Sequence, residues 1–204
     1  MSKKIYKTLT LTICALVLFS NVSLRAEGFY AGLGYLKSEH NVIKYSSYTY
    51  TAYDDKDDGF SFFAGYDFNN RFAVEAGYND LGKSTRSITN NNLNAENEIK
   101  VATIAGVLKT DPIANNLVIF IKGGLARIDH DEAVTGGATS NTSVNTTNFF
   151  YGIGANYELS NGLAVRAAYE VYGKDDGLSD VDSTESKPDQ ADPKALSISL
   201  IKRF

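Results

Sequence analysis

From Gly28 onward the chain alternates, residue by residue, between an apolar set and a small or polar set. In Gly28 to Lys37 one parity holds Phe29, Ala31, Leu33 and Tyr35, and the other holds Tyr30, Gly32 and Gly34. Side chains of a strand point to opposite faces with a period of two, so this is a strand with two unlike faces. Further runs follow. Gly59 to Phe68 sets Phe60, Phe62, Ala64, Tyr66 and Phe68 against Ser61, Phe63, Gly65 and Asp67, and Phe72 to Tyr78 sets Phe72, Val74, Ala76 and Tyr78 against Ala73, Glu75 and Gly77. The run from Glu98 to Leu108 is apolar on both parities; Lys100 assigns its own parity to the interior and leaves Ile99, Val101, Ala105 and Val107 on the other face. The last four runs are carried by Leu117, Ile119 and Ile121, by Phe149, Tyr151 and Ile153, by Leu163, Val165, Ala167 and Tyr169, and by Leu196, Ile198, Leu200 and Phe204. Pro112, Pro188 and Pro193 all fall between runs, as a ladder of backbone hydrogen bonds demands.

The predicted fold is an all-β, eight-stranded antiparallel up-and-down β-barrel. Its connections differ in length: 69–71 and 160–162 are short and 109–116 is moderate, whereas about 38–58, 80–97, 129–147 and 173–193 are long, polar and rich in Asn, Asp, Ser and Thr. An up-and-down meander puts alternate connections at opposite ends, so the long loops share one rim.

The first residues read differently. Lys3, Lys4 and Lys7 precede an apolar stretch from Leu9 to Phe19, then Ser20, Asn21 and the small Ala26, the layout of a secretory signal peptide cleaved after Ala26. That stretch is too short to cross a bilayer as a helix, which takes about 20 residues. The mature domain is then 27–204. Loss of 1–26 takes four basic and no acidic residues, leaving 16 basic against 24 acidic, a balance that argues against a nucleic-acid partner. The lone Cys14 leaves with the signal, and two histidines in all leave no basis for a Cys/His metal cluster.

Alternation fits a soluble lipocalin-like barrel or sandwich as well as a membrane barrel. The second face favours the membrane. It is mostly Gly, Ala and Ser with isolated Glu, Lys and Arg, which suits a narrow lumen better than a wetted surface, and Tyr and Phe mark the strand ends as in the aromatic girdles of membrane barrels. The opening Phe29-Tyr30-Ala31-Gly32-Leu33-Gly34-Tyr35, the pair Phe62 to Phe68 and Phe72 to Tyr78, and the final Leu200-Ile201-Lys202-Arg203-Phe204 together resemble the small eight-stranded outer-membrane barrels, the family of the OmpA transmembrane domain, OmpX and the opacity proteins. The resemblance implies residence in the outer membrane of a Gram-negative bacterium, in contact with its lipid and lipopolysaccharide. It also implies assembly by the barrel-assembly machinery, with Ile198, Leu200 and Phe204 as the signal that machinery reads; Lys202 stands where an aromatic or apolar residue is usual.

Five charged residues are expected in the lumen: Glu75, Lys100, Lys122, Arg166 and Glu170. Counted from the short turns, Glu75 and Arg166 lie at matched height, Lys122 somewhat higher, and Glu170 with Lys100 higher still. Unpaired charge in a confined, low-dielectric space costs several kcal/mol, so Glu75 is expected to pair with Arg166 and Lys122 to reach Glu170. An eight-stranded barrel is just filled by its side chains, which favours a packed interior over a narrow channel.

Catalysis has little support. His40 and His130 fall in predicted loops without the spacing of a hydrolase or acyl-transfer site, and the protein is expected to be no enzyme and to need no cofactor. The loops carry the remaining interest. Tyr45, Tyr48, Tyr50 and Tyr53 interleave with Ser and Thr in the first, a composition suited to adaptable contact, and Asp175, Asp176, Asp180 and Asp182 load the fourth. Asp180-x-Asp182 lacks the glycine and terminal glutamate of a calcium loop. The expected role is adhesion or surface interaction with a host or cell-surface ligand through these loops; an envelope-stabilising barrel without ligand and a narrow porin-like channel are the alternatives.

Overall fold

A computed structural model describes residues 28–40, 50–54, 56–88, 93–113, 116–136, 140–173 and 193–204. The expected signal peptide 1–26, Tyr45, Tyr48, Asp175, Asp176, Asp180 and Asp182 lie outside the described residues. Nine strands are present among the described residues: β1 (Gly28–Glu39), β2 (Tyr50–Asp54), β3 (Lys56–Asp67), β4 (Phe72–Ile88), β5 (Leu93–Lys109), β6 (Leu117–Thr135), β7 (Ser140–Glu158), β8 (Leu163–Val171) and β9 (Lys194–Arg203). Eight of them form a closed antiparallel ring in the order β4, β3, β1, β9, β8, β7, β6, β5, with β5 returning to β4. The first and last strands meet, Tyr30 opposite Arg203 and Glu39 opposite Lys194, so the wall has no seam. β2 is a spur on the upper part of β4, Tyr50 opposite Ile88. No helix is present among the described residues.

The outward parity carries the apolar residues. Phe29, Phe60, Ile104, Ile121, Tyr151, Ile153, Leu196 and Ile198 are each more than half exposed. A continuous belt of this kind has no place on a protein surrounded by water, and the soluble-barrel alternative falls with it. Aromatic rings mark its lower edge, where Phe29, Tyr66 and Phe68 pack edge to face. At its upper edge the register aligns Asp80, Lys100 and Asp129 on three neighbouring strands.

Above that line the strands continue. Residues 80–97 and 129–147, expected as loops, are mostly strand: β4 pairs with β5 up to Ile88 opposite Leu93, and β6 with β7 up to Val134 opposite Ser140. The segment 38–58 likewise contains the ends of β1 and β3 and all of β2. At about 3.3 Å per residue, the stretch of β5 above Lys100 adds roughly 23 Å of strand beyond the lipid belt. The apolar alternation fades there because the outer face no longer meets lipid, but the backbone ladder needs only a neighbour and hydrogen-bonding geometry. Among the described residues, β8 and β9 stop near the belt, at Val171 and Lys194, whereas β4 to β7 continue above it.

Candidate functional site

The inward parity builds a filled lumen in layers. At the lower mouth Asp67 accepts hydrogen bonds from Lys109 Nζ at 2.7 Å and from Arg203, whose Nη2 also reaches Glu158 at 2.9 Å. Above it, Tyr30, Phe63 and Phe120 pack around the Arg166 guanidinium, which lies 4.4 Å from the Phe63 ring centre and 4.6 Å from that of Phe120, and Ala164 and Ala168 belong to the same buried cluster of apolar side chains. Glycines make room for these rings: a Cβ at Gly32 would strike Phe63, and one at Gly65 would strike Tyr30.

Arg166 Nη1 lies 2.6 Å from Glu75 Oε2, and Lys122 Nζ lies 2.6 Å from Glu170 Oε1 and 3.1 Å from Glu75 Oε1. Glu75 is the hub, since the Tyr30 hydroxyl also donates to its Oε2 at 2.9 Å. Arg166 Nε donates to Asn156 Oδ1 at 2.9 Å, and the Tyr172 hydroxyl donates to Glu170 Oε2 at 2.8 Å. Two cations thus face two carboxylates, and neutral donors and acceptors take up further hydrogen-bonding capacity, the condition under which buried charge is tolerated. Tyr30, Asn156, Phe63, Phe120 and the lower ring were not singled out from the sequence. Their signal was parity, since each but Lys109 falls on the face that the alternation assigned to the lumen; Lys109 shares the parity of Ile99, which the sequence had placed outside.

Lys100 is not part of this cluster. It faces outward at the upper edge of the belt, its Nζ 2.6 Å from Glu98 Oε1. The interior of β5 belongs instead to Ile99, Val101, Ala105 and Val107, all buried. The strand is apolar on both parities because its outer residues meet lipid while its inner ones fill the lumen. Ile99 and Val101 join Leu36, Leu81, Ile128, Phe150 and Tyr172 in an apolar layer above the charges, with Phe150 and Tyr172 stacked at 5.9 Å.

A bulge in β4 between Asp80 and Lys83 places Leu81 in that layer, and Gly82 takes the positive φ of 75° that the turn needs. Ser38 Oγ donates to Leu81 O at 2.5 Å, and His40 Nε2 lies 3.2 Å from the same carbonyl. His40, expected in a loop, is therefore fully buried beside Leu81. His130, also expected in a loop, is in β6 and lies 3.1 Å from Asn97 Oδ1. Among the described residues no cluster of three or more His, Cys, Asp or Glu could hold a metal ion.

Of the remaining candidate residues, Ile198 and Leu200 face outward on the closing strand, and Phe204 N donates to Phe29 O at 2.9 Å. Tyr50 and Tyr53 lie on the β2 spur.

A seamless eight-stranded wall, a lipid-facing aromatic belt and an interior of paired charges define a small outer-membrane barrel. The OmpA-like transmembrane domain family matches residues 25–203, and the chain belongs to it. Among solved structures, Ail of Yersinia pestis, the attachment invasion locus protein solved with the heparin analogue sucrose octasulfate, is similar at 17% identity and a TM-score of 0.56, over 89% of this chain and 100% of that one. OprG of Pseudomonas aeruginosa is similar at 12% identity and 0.60, over 88% and 97%. The outer membrane protein AlkL is similar at 14% identity and 0.58, over 91% and 93%. No curated protein sequence matches the chain.

Proposed function

We propose that this protein is a non-enzymatic surface barrel, exported by a signal peptide spanning 1–26, that acts in adhesion or surface interaction through its extracellular rim. The observation that supports this reading is the filled lumen. Leu36, Leu81, Ile99, Val101 and Ile128 have no exposure at all, directly above a charge cluster that is itself buried, so the interior offers a solute little passage and the surface beyond the belt carries the function. The extensions of β4 to β7 above the belt are rich in polar and charged residues, and the tyrosine-bearing and aspartate-bearing loops flank them in sequence. The likeness to Ail, an attachment invasion locus protein crystallised with the heparin analogue sucrose octasulfate, is consistent with a polar surface ligand. Lipopolysaccharide is the expected neighbour of the upper belt, and the outward stripe of Ile198 and Leu200 with terminal Phe204 is the expected signal for the assembly machinery.

Deletion of 42–48 and of 176–190 tests the adhesive role, with folding followed by the shift in gel mobility between unboiled and boiled samples. Loss of cell attachment with the shift intact is the expected result. Undiminished attachment, together with envelope sensitivity only when the whole chain is lost, would leave a structural barrel.

A further inference from the structure

We propose that the lipid-facing wall of β5 and β6 holds one periplasmic-leaflet phospholipid with an ethanolamine-type headgroup. Gly106 and Gly123 are cross-strand partners on the outward parity. A Cβ on Gly106 would meet nothing within 4 Å, and one on Gly123 would meet only Phe150 O at 3.7 Å, an ordinary contact. Neither glycine is needed for packing, unlike Gly124 and Gly154, where a Cβ would strike Ile104 O and the Phe120 ring. Glycine weakens a strand interior, and its presence there marks close approach by a ligand or another backbone. Here the two together leave a furrow of about 340 Å³ walled by Phe72, Leu108 and Ile121.

The furrow does not end in the belt. Leu108 and Ile121 also line a second hollow of about 500 Å³, which runs down past Ile119 to Thr110, Arg71 and Asp111 at the lower rim. From Gly106 to Thr110 is roughly 13 Å along the strand at ~3.3 Å per residue, so the channel occupies the periplasmic half of the belt. Its lower end is a zwitterion: Arg71 Nε and Nη2 hold Asp111 Oδ1 and Oδ2 at 3.3 and 2.6 Å. That bond leaves the Nη1 edge of Arg71 for a phosphate, and the outer lone pairs of Asp111 for an ammonium. An apolar channel ending in one cation and one anion complements a phospholipid that carries both charges. Within a bilayer an acyl chain gains nothing from leaving water, so its hold comes from close packing in the furrow and its selectivity from the ion pair.

Native mass spectrometry of the folded barrel, exchanged from detergent into equal amounts of phosphatidylethanolamine and phosphatidylglycerol of matched chains, tests this. The wild type is expected to keep one phosphatidylethanolamine in about five-fold preference, and Gly106→Leu to cut retention about five-fold, a change near 1 kcal/mol. Asp111→Asn is expected to erase the headgroup preference while lipid is still retained. Gly123→Leu replaces Gly106→Leu if the latter does not show the heat-dependent gel shift. Retention unchanged in the leucine variant, or no preference in the wild type, would overturn the proposal. So would a dimer mass lost in Gly106→Leu, which would give the furrow to a second copy.

Discussion

Glu75 and Leu81 lie on one strand, six residues apart, and both point into the lumen, yet their surroundings are opposite in kind. Around Glu75 the barrel is filled by ions that neutralise one another; around Leu81 it is filled by aliphatic and aromatic volume. The lower half is therefore sensitive to losing a partner, because a single deletion strands a charge away from water. The upper half is sensitive to losing volume, because a cavity there forfeits contacts that nothing replaces.

The largest effect is expected at the hub. Glu75→Gln leaves Arg166 without its carboxylate between two rings, at a cost of about 3–5 kcal/mol, measured by urea unfolding in lipid vesicles and read from gel mobility. The double change Glu75→Leu with Arg166→Leu is expected to cost less than the single one, since it removes both charges and leaves Lys122 with Glu170; a larger cost would show that packing, not charge, dominates the lower half. In the upper half Leu36→Ala is expected to cost about 2–4 kcal/mol by opening a cavity, with no change in how stability varies with pH.

Lys100→Gln sharpens the contrast between interior and exterior charge. Facing outward beside Glu98, its loss is expected to cost no more than about 0.5 kcal/mol in the same assay, whereas a cost comparable to Glu75→Gln would return it to the lumen. The smallest effect concerns Asp111 in the lower turn. Its hydrogen bond and attraction to Arg71 hold its carboxyl below the ordinary 3.8. The folded state then binds that proton less readily than the unfolded one, so the contribution is present above the ordinary value and fades as pH falls through the lower folded one. Both groups are exposed, so the expected outcome is a slight drop in the thermal midpoint at acid pH that Asp111→Asn abolishes.

Gly28, Phe29 and Tyr30 already told inside from outside on β1, and the same parity placed Glu75, Lys122, Arg166 and Glu170 on one face. The alternation was legible because lipid and lumen impose opposite chemistry on successive side chains. It failed on β5, where Ile99 and Ile104 meet an apolar environment on both sides and Lys100 was the sole asymmetry. It also failed above the belt, where Thr85 and Glu96 face each other across a ladder in which water bathes the wall and no alternation is required.

The number of strands in the ring, their topology and the facing of seven of them follow from local pattern, because each depends on the period of the chain and on what one residue does in lipid or water. The role of Glu75 as a hub that also meets Lys122 and Tyr30, the turning of Leu81 into the lumen, the layered filling and the Gly106–Gly123 furrow depend on register between strands far apart in sequence. Register is settled only when the ring closes, because the shear that lets β1 meet β9 sets the height of every side chain against every other.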